Sequence, residues 1–456
     1  MTGTALEPLG SPSRTLAWRD GEPITLARCL AEAAALAEAL PAVGRPINLC
    51  SDRYLFTIAL LAALMRGQTS LMPPNAMPQT LRQLIDGDAP AYALIDEPAQ
   101  DTAGLPRIVV SRAAATSSGG AALNVAPTQW VACLLTSGST GVPQPQRKRW
   151  DALLRSIDGE AQCLAALLGW PTIEGLNLVA TVPAQHSYGF ESSVLLALLG
   201  GAAFDAARPF YPQDIADALD RLPRPRALVT TPVHLKALLL AGAALPAVDL
   251  ILSATAPLSP QLAERAEVQL QGRLIEIYGC TEAGQVAARR TTAGDVWTAL
   301  PGLRVTRRAR DDGDQFIVDG GHVLEPTPLA DQLELLDETH FRLLGRANDL
   351  IHVAGKRSSL AHLNFHLNRI DGVDDGVFWL PDDVTDGVVR LVAFVVAPRL
   401  SARQIVDALR PHVESAFLPR RVVHVDALPR QATGKITAQA LREFALATLA
   451  QRRSRS

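Results

Sequence analysis

The sequence lacks paired cysteine motifs, long apolar runs and a strong net charge, and each absence excludes a class of protein. Its 5 cysteines are odd in number and without CxxC spacing, which favours reduced thiols over a disulfide framework. The net charge of -3 gives no long-range attraction to nucleic acid or an anionic membrane. Apolar runs such as 56–65 are too short to span a bilayer, and the N-terminus has no basic segment followed by an apolar one. These absences predict a cytoplasmic protein that binds no nucleic acid and inserts into no membrane.

The chain does contain enough apolar residues for more than one core. With 456 residues, 48% of them hydrophobic and 20% charged, it has the composition of a globular enzyme of two or more domains. Strand-like runs such as 250–253 alternate with helical stretches such as 26–40 and 192–199, which predicts an α/β fold with mainly parallel sheets. After about Gly302, short alternating runs predict a β-rich subdomain, and the low-complexity run 111–124 predicts a surface loop.

A loop rich in hydroxyls and glycine follows the apolar segment 130–135. Its glycines let backbone amides point inward and its hydroxyls donate hydrogen bonds, so the loop can hold phosphate oxygens. The candidate phosphate contacts are Thr136, Ser137, Gly138, Ser139, Thr140 and Gly141. A P-loop would need a Gly-Lys pair followed by Ser or Thr, which is absent. Taken alone, the loop predicts either a phosphate site or an ordinary turn-rich connection.

Three further segments follow in order along the chain. Residues 277–284 read IYGCTEAG, residues 344–357 read LGRANDLIHVAGKR, and residues 428–436 read LPRQATGKI. With the hydroxyl-rich loop, these segments resemble the acyl-adenylate-forming superfamily of acyl-CoA synthetases, aryl-acid ligases and peptide synthetase adenylation domains. The resemblance implies a large adenylation domain at residues 1–347, with mainly parallel sheets, helices and the β-rich subdomain. It also implies a small, mobile α+β domain at residues 348–456 that carries the catalytic lysine.

The resemblance implies a nucleotide site assembled from several motifs. Thr281 corresponds to a catalytic α-phosphate contact, Glu282 to the catalytic Mg²⁺ carboxylate, and Tyr278 to the aromatic residue that packs on adenine. Asp331 lies 15 positions before Arg346, which is the family's spacing between the ribose-binding aspartate and the arginine beside it. The implied cofactors are ATP and Mg²⁺, and the remaining implied nucleotide contacts are Lys148, Thr255, Ala256 and Gly279.

Lys435 resembles the superfamily's catalytic lysine. An ammonium that reaches both the acid carboxylate and the α-phosphate offsets their charge repulsion during in-line attack. Because Lys435 is far from the other motifs, the small domain must deliver it. The resemblance places the hinge of that domain at Asn348, where Asp or Lys is commoner, and Arg357 at the thioester step.

The hydroxyl-rich loop departs from the family pattern at its end. The loop usually continues Pro-Lys, whereas here it continues Pro143-Gln144. Because the catalytic lysine is elsewhere, the loop cation is expected to assist the pyrophosphate. Either Lys148 or Arg147 could replace it, or the hydroxyls with Mg²⁺ could suffice.

Residues 183–191, PAQHSYGFE, match the segment that lines the family's acyl pocket. His186 is expected between acid and nucleotide as a catalytic residue, with Tyr188 and Gly189 in the pocket wall. This segment and the loop variant are most similar to stand-alone ligases of bacterial aryl-polyene and xanthomonadin-type pigment pathways. That likeness implies a hydroxybenzoate-like acid loaded onto the phosphopantetheine thiol of an acyl carrier protein. Free CoA presents the same thiol and is the alternative acceptor.

Two other classes of function are weaker alternatives. His362 and His366 are four residues apart and could share a helix face in a metal hydrolase, but no Glu stands at the HExxH position. A degenerate adenylating fold could serve as an ATP-binding scaffold, which Gln144 and Asn348 would permit. The presence of the family's motif residues argues against the scaffold hypothesis. These residues are Thr281, Glu282, Asp331, Arg346 and Lys435.

Overall fold

The computed structural model describes residues 9–85, 90–112, 123–137, 143–310, 313–346, 350–353, 356–381, 391–430 and 436–453. The strands in these residues are β1 (Thr15–Arg19), β2 (Glu22–Thr25), β3 (Arg45–Asn48), β4 (Ser70–Met72), β5 (Ala91–Ile95), β6 (Arg107–Val109), β7 (Trp130–Ser137), β8 (Pro143–Arg149), β9 (Asn177–Ala180), β10 (Ala203–Asp205), β11 (Arg226–Thr230), β12 (Leu250–Ser253), β13 (Arg273–Cys280), β14 (Gly284–Arg289), β15 (Trp297–Ala299), β16 (Leu303–Arg310), β17 (Gly313–Gly320), β18 (Thr327–Leu329), β19 (Asp331–Leu335), β20 (His340–Arg346), β21 (Leu350–Val353), β22 (Lys356–Ser359), β23 (Asp375–Trp379), β24 (Val392–Val396) and β25 (Arg421–His424).

The helices begin and end at residues suited to those positions. Pro212, Pro232 and Pro260 each open a helix, where the missing N–H costs no intrahelical bond, and Gly169 ends the helix that begins at Trp150 in the left-handed conformation with φ 71°. The helices are α1 (Leu26–Ala39), α2 (Arg53–Met65), α3 (Pro78–Ile85), α4 (Trp150–Leu168), α5 (Ser187–Gly189), α6 (Leu196–Gly200), α7 (Pro212–Arg221), α8 (Pro232–Leu240), α9 (Pro260–Leu270), α10 (Leu360–Asn368), α11 (Ala402–Leu409) and α12 (Ala438–Arg453).

The largest sheet has 11 strands in the order β19-β20-β15-β14-β13-β12-β11-β9-β10-β1-β2. Its centre, from β13 to β1, is parallel, and β14, β15, β20 and β19 extend it as antiparallel strands. Every residue of β9 and β12 is buried, as expected where helices cover both faces of a parallel sheet. The predicted α/β class with mainly parallel sheets is confirmed.

A second sheet of 6 strands has the order β6-β5-β3-β4-β7-β8 and is parallel except for β8. Strand β8 contains the stretch that the sequence analysis treated as a continuation of the hydroxyl-rich loop. Its two prolines, Pro143 and Pro145, are tolerated because β8 lies at the sheet edge. The cations after them therefore stand on a strand and not on a loop.

A helix covers residues 192–199 as predicted, but its first part is not α-helical. The chain forms a π-helical turn over Phe190–Leu195 before α6 begins. The Ser193 hydroxyl donates to the carbonyl of Gly189 four residues earlier, a type of bond that bends helices. Arg53 holds the same hydroxyl through its Nε at 3.0 Å. Single π-helical turns are frequent at functional sites, and this one follows the predicted acyl-pocket segment.

The region after Gly302 is β-rich, as predicted, with β16, β17 and β18 in one antiparallel sheet. The C-terminal part contains the hairpin β21-β22, the sheet β23-β24-β25 and α10 to α12, around a core that includes Leu363, Phe378 and Ile405. Lys236 on α8 donates from Nζ to the carbonyl of Val373 at 2.5 Å and so joins the two parts. The predicted boundary between residues 347 and 348 lies outside the described residues.

Two expectations about the whole chain can be compared with the structure. All five cysteines fall within the described residues, and none forms a disulfide. Within the same residues, no helix combines the length and apolar character that crossing a bilayer requires. Most of the predicted surface loop, residues 113–122, lies outside the description.

Candidate active site

The segment IYGCTEAG forms a hairpin at the carboxyl end of the parallel strands, the edge at which such sheets bind ligands. Strand β13 ends at Cys280, the chain reverses over residues 281–283, and β14 returns antiparallel. A side chain at Gly279 would place its Cβ 2.3 Å from the carbonyl oxygen of Gly284, so the hairpin requires glycine there. The reversal leaves Thr281 half-buried and Glu282 exposed at the tip.

Tyr278 and Asp331, predicted to contact the nucleotide, lie side by side. The Tyr278 hydroxyl donates to Asp331 Oδ2 at 2.8 Å, and its ring packs edge-on against Phe341 at 5.9 Å between ring centres. Asp331 stands opposite Arg346 in the β19-β20 register, although the Arg346 side chain is not described. The pairing explains the 15-residue spacing in the sequence, because the hairpin returns Arg346 to the level of Asp331.

Thr255 and Ala256 follow β12, the strand next to β13 in the sheet. Thr255 has a φ of 80°, which is a rare conformation for a β-branched residue and costs on the order of 1–3 kcal/mol. Both residues are half-buried at the same sheet edge as Tyr278. Strain of this kind clusters at ligand sites, which agrees with the predicted adenine contact.

Lys148 connects the second sheet to the tip of the hairpin. Its Nζ donates to the carbonyl of Thr281 at 2.6 Å, while Arg147, the neighbour on β8, is exposed. Of the two cations proposed to replace the missing loop lysine, the structure therefore brings Lys148 to the hairpin. Thr136 and Ser137 end β7, but their side chains and all of residues 138–142 lie outside the description.

We expect Lys148→Ala to weaken ATP binding by about 10- to 100-fold, because a hydrogen bond from a charged group is worth about 1.5–3 kcal/mol. The substitution removes both a positive charge and the hydrogen bond that Lys148 donates to the carbonyl of Thr281. Equilibrium binding of ATP, measured without acid, provides the test. Arg147→Ala is the matched control, since it removes the exposed neighbouring cation and should change affinity less than about twofold. Equal effects of the two substitutions would contradict the role of Lys148.

His186, Tyr188 and Gly189 surround the start of the π-helical turn. His186 is the half-buried N-cap of α5, and Tyr188 is 7% exposed within the main core. Burial, with a smaller contribution from Glu160, raises the pKa of Tyr188 far above its usual value. A Cβ at Gly189 would lie 2.0 Å from the carbonyl oxygen of Pro183. Tyr188 and Gly189 are therefore buried residues that pack residues 183–191 against the core.

Beneath the hairpin lies a group of polar side chains that the sequence analysis missed. This buried polar cluster consists of Glu160, Glu191, Ser192, Gln285 and His322. Gln285 Nε2 donates to Ser192 Oγ at 3.0 Å, and His322 Nε2 lies 3.1 Å from the carbonyl oxygen of Ala283. A usable signal was present in one of them, because Glu191 lies between Phe190 and the apolar run 194–199.

Burial changes the protonation of two cluster members. Desolvation raises the pKa of Glu160 to about 8, with the Glu191 charge adding to the shift and Ser192 and Gln285 opposing it. Desolvation, together with the charge of Lys148, lowers the pKa of His322 to about 4. At neutral pH, Glu160 is therefore mainly protonated and His322 is neutral.

We expect Glu160→Gln to stabilise the protein at high pH. Because the folded-state pKa is raised, the native state keeps a proton that the unfolded chain releases, so stability falls as pH rises from about 4.5 to about 8. Glutamine cannot ionise, so the variant should gain up to about 4–5 kcal/mol at pH 9 and almost nothing at pH 4. Urea unfolding at both pH values measures the difference. Glu264→Gln is the control, because Glu264 is exposed on a helix, and it should not change the free energy of unfolding at either pH. If Glu160→Gln were equally stabilising at both pH values, the protonation assigned to Glu160 would be contradicted.

The predicted Mg²⁺ ligand is Glu282, an exposed carboxylate at the hairpin tip. Within the described residues, no group of three His, Cys, Asp or Glu could hold a metal. One carboxylate fits Mg²⁺, which is commonly bound by one or two carboxylates with phosphate and water as further ligands. For the hydrolase alternative, His366 stacks on His412 at 5.4 Å, and the His362 side chain is not described.

Three predicted residues of the small domain cannot be compared with the structure. Lys435 and Asn348 lie outside the described residues, and Arg357 is on β22 with an undescribed side chain. The ion pair between Arg430 and Asp375 at 2.6 Å fixes the chain just before the Lys435 segment to β23. Their roles stay predictions.

The fold and this site together define a nucleotide-binding α/β enzyme with a small C-terminal domain. Comparison with known proteins specifies the family: a model described as AMP-binding enzyme matches residues 10–310, and the chain belongs to that family. It is an ATP-dependent, adenylate-forming acid ligase, that is, an AMP-forming acid–thiol ligase.

The activities in the names of several similar proteins agree with this assignment. The chain is 33% identical to a 4-coumarate--CoA ligase of Rhodobacter capsulatus over 304 residues, which cover 66% of this chain and 73% of the relative. It is 24% identical to a 4-chlorobenzoate--CoA ligase of a Pseudomonas species over 472 residues, covering 91% and 88%. The structure of ATP-bound MatB from Rhodopseudomonas palustris superimposes with a TM-score of 0.79 at 19% identity, covering 96% of both chains. That likeness confirms the fold, with its large sheet domain and smaller C-terminal domain.

Proposed function

We propose that the protein activates an aromatic, hydroxybenzoate-like acid as its acyl-AMP and transfers the acyl group to the phosphopantetheine thiol of an acyl carrier protein. In the first step a carboxylate oxygen of the acid attacks the α-phosphorus of ATP and pyrophosphate leaves. In the second step the thiol sulfur attacks the acyl carbon, the thiol proton is released and AMP leaves. The observation that carries the acid-activation step is the hydrogen bond from Tyr278 to Asp331, since it joins two predicted nucleotide contacts near the Thr281–Glu282 tip.

The residues have the following proposed roles in the first step. Tyr278 packs on adenine, Asp331 accepts from the ribose hydroxyls, and Thr281 donates to the α-phosphate. Mg²⁺ held by Glu282 would spread the charge of the triphosphate. Lys435 enters with the small domain at residues 348–456 and stabilises the charge that develops between acid and phosphate.

CoA is the second candidate acceptor, and the names of the relatives favour it. Both the Rhodobacter capsulatus and the Pseudomonas relatives are CoA ligases by name. The carrier protein is supported instead by the similarity of residues 183–191 and the loop variant to the stand-alone ligases of pigment pathways. CoA and the carrier protein present the same thiol, so the active-site contacts described above fit either acceptor.

Two assays test the acid and the acceptor separately. ATP–pyrophosphate exchange across benzoates, cinnamates and fatty acids should be stimulated most by a hydroxybenzoate. With that acid, mass spectrometry should show acylation of a holo-carrier protein at a rate above that of CoA at equal thiol concentration. If CoA reacts faster than the carrier protein, CoA is the acceptor and the carrier-protein proposal is wrong. If only fatty acids stimulate exchange, the proposal of an aromatic acid is wrong.

A further inference from the structure

Arg53 is a buried arginine at the first position of α2. It is 1% exposed, and burial lowers its pKa to about 10, so the guanidinium keeps its charge at neutral pH. Within the described residues, its side chain donates to one hydroxyl and three carbonyls, all of them neutral. Because an apolar side chain of similar volume is often as stabilising at a buried site, the guanidinium is better explained by the geometry that it fixes.

The three carbonyls lie at or just after the carboxyl ends of β9 and β10, the edge at which parallel sheets bind ligands. Nη2 donates to Val182 at 2.6 Å and to Ala180 at 3.3 Å, and Nη1 donates to Ala207 at 3.1 Å. The backbone N–H of Arg53 adds a bond to the carbonyl of Ala206 at 2.8 Å. The start of α2, which connects strands of the second sheet, is thereby fixed to the ends of two strands of the largest sheet.

The same guanidinium holds both ends of the predicted acyl-pocket segment, residues 183–191. Val182 stands directly before the segment, and Ser193, whose hydroxyl accepts from Nε at 3.0 Å, follows its end. Because the guanidinium is planar and its donors have a fixed spacing, it sets the separation of the two ends. Gln185, inside the segment, donates from Nε2 to the carbonyl of Cys50, shortly before α2, at 2.5 Å. The start of α2 and the residues before it therefore hold the segment at three points.

We propose that Arg53 is a positioning residue for acid activation, which sets the place of the acyl-pocket segment, and of His186 within it, relative to the nucleotide. Arg53 acts through this segment and does not touch the acid, because its donors bind oxygens of the chain itself. The inference rests on the proposed function, in which residues 183–191 line the acid site, and adds to it a residue from a distant part of the sequence. Loss of the guanidinium should weaken use of the acid and leave the nucleotide contacts at Tyr278 and Thr281 unchanged.

Arg53→Lys tests this role because it keeps the charge but replaces a planar set of donors by one ammonium nitrogen, which cannot bridge both ends of the segment. The assay is ATP–pyrophosphate exchange with the acid that stimulates the wild-type enzyme most. We expect the KM for the acid to rise about 10-fold or more, the usual effect of losing a hydrogen bond from a charged group. The Kd for ATP, measured without acid, should stay within about twofold, whereas a general loss of structure would weaken both.

Arg226→Lys is the matched control, because the Arg226 side chain also donates to three backbone carbonyls. These belong to Leu219, Leu222 and Ala247. Arg226 begins β11 and so lies at the amino edge of the same sheet, opposite the edge that Arg53 contacts. Urea unfolding should show a loss of stability in this control, while its KM for the acid should stay within about twofold of the wild-type value. An equal rise of that KM in both lysine variants would overturn the positioning role.

Ser193→Ala keeps the test decisive if the Arg53→Lys protein does not fold. It removes the bond at one end of the segment, and we expect the KM for the acid to rise about threefold or more, again with unchanged affinity for ATP. A wild-type KM for the acid in either variant, or an equal loss of ATP affinity, would overturn the role of Arg53 and leave acid activation intact. If the wild-type enzyme shows exchange with no acid, the proposed function and this inference are both wrong.

Discussion

Replacing Lys435 by alanine should reduce acid-dependent ATP–pyrophosphate exchange by at least about 100- to 1,000-fold, the usual cost of removing one group that stabilises transition-state charge. The reacting carboxylate and α-phosphate are both anionic, so a cation must lie between them as the oxygen attacks. In the proposed mechanism, Lys435 of the motif ATGK supplies this cation. Because Lys435 lies outside the described residues, the prediction rests on the motif and on the chemistry of the step.

Two controls separate chemistry from folding in the Lys435→Ala enzyme. ATP binding without acid should change little, because the proposed nucleotide contacts Tyr278, Thr281 and Asp331 are on other segments of the chain. When the enzyme is supplied with preformed acyl-AMP, transfer to the thiol should proceed, because the lysine is needed for the first step. Lys435→Arg should recover only part of the exchange, since the guanidinium is bulkier and planar. If the Lys435→Ala enzyme kept full exchange activity, Lys435 would have no role in the mechanism.

Replacing Gly189 by alanine should destabilise the large domain by about 3 kcal/mol, at the upper end of the cost of overpacking a core. The new Cβ would lie 2.0 Å from the carbonyl oxygen and 2.9 Å from the carbonyl carbon of Pro183. Both are backbone atoms next to the turn that carries Glu191, so the segment itself must move. Urea unfolding measures the loss, and exchange with hydroxybenzoate should fall with it.

Gly159→Ala provides the matched control because Gly159 is also a buried helical glycine. A Cβ there would meet its nearest neighbour, Pro301, at 3.7 Å, which is ordinary contact. Alanine in a helix interior gains about 1 kcal/mol over glycine, so this variant should be neutral or more stable. If Gly189→Ala were as stable as Gly159→Ala, the close packing of Gly189 against the Pro183 backbone would be contradicted.

Local sequence patterns predicted the fold well where one segment determines its own structure. Strand β12 has the predicted bounds, and α1 differs from its prediction only at its last residue. The family resemblance linked Asp331 to Arg346 by their 15-residue spacing, and a hairpin register accounts for that spacing. Local sequence gave no sign of the π-helical turn, and one side chain bonded to its Ser193 hydroxyl is Arg53, 140 residues away.

The buried polar cluster shows why part of the site could not be predicted. Its members come from α4, the π-helical turn, β14 and the segment at His322, and no local pattern joins them. The contact between Lys148 and Thr281 likewise joins two sheets through residues 133 positions apart. Only the assembled fold identifies which of several charged residues are buried and which of two neighbouring cations contacts the hairpin.

The most direct test of the central claim is to look for the first product itself. Wild-type protein mixed with ATP, Mg²⁺ and 4-hydroxybenzoate, without any thiol, should form enzyme-bound hydroxybenzoyl-AMP and pyrophosphate in equal amounts, measured by mass spectrometry and a pyrophosphate assay. Benzoate in its place should give far less of both. Binding of ATP without acyl-AMP from any acid would contradict the account and show that the chain is an ATP-binding scaffold.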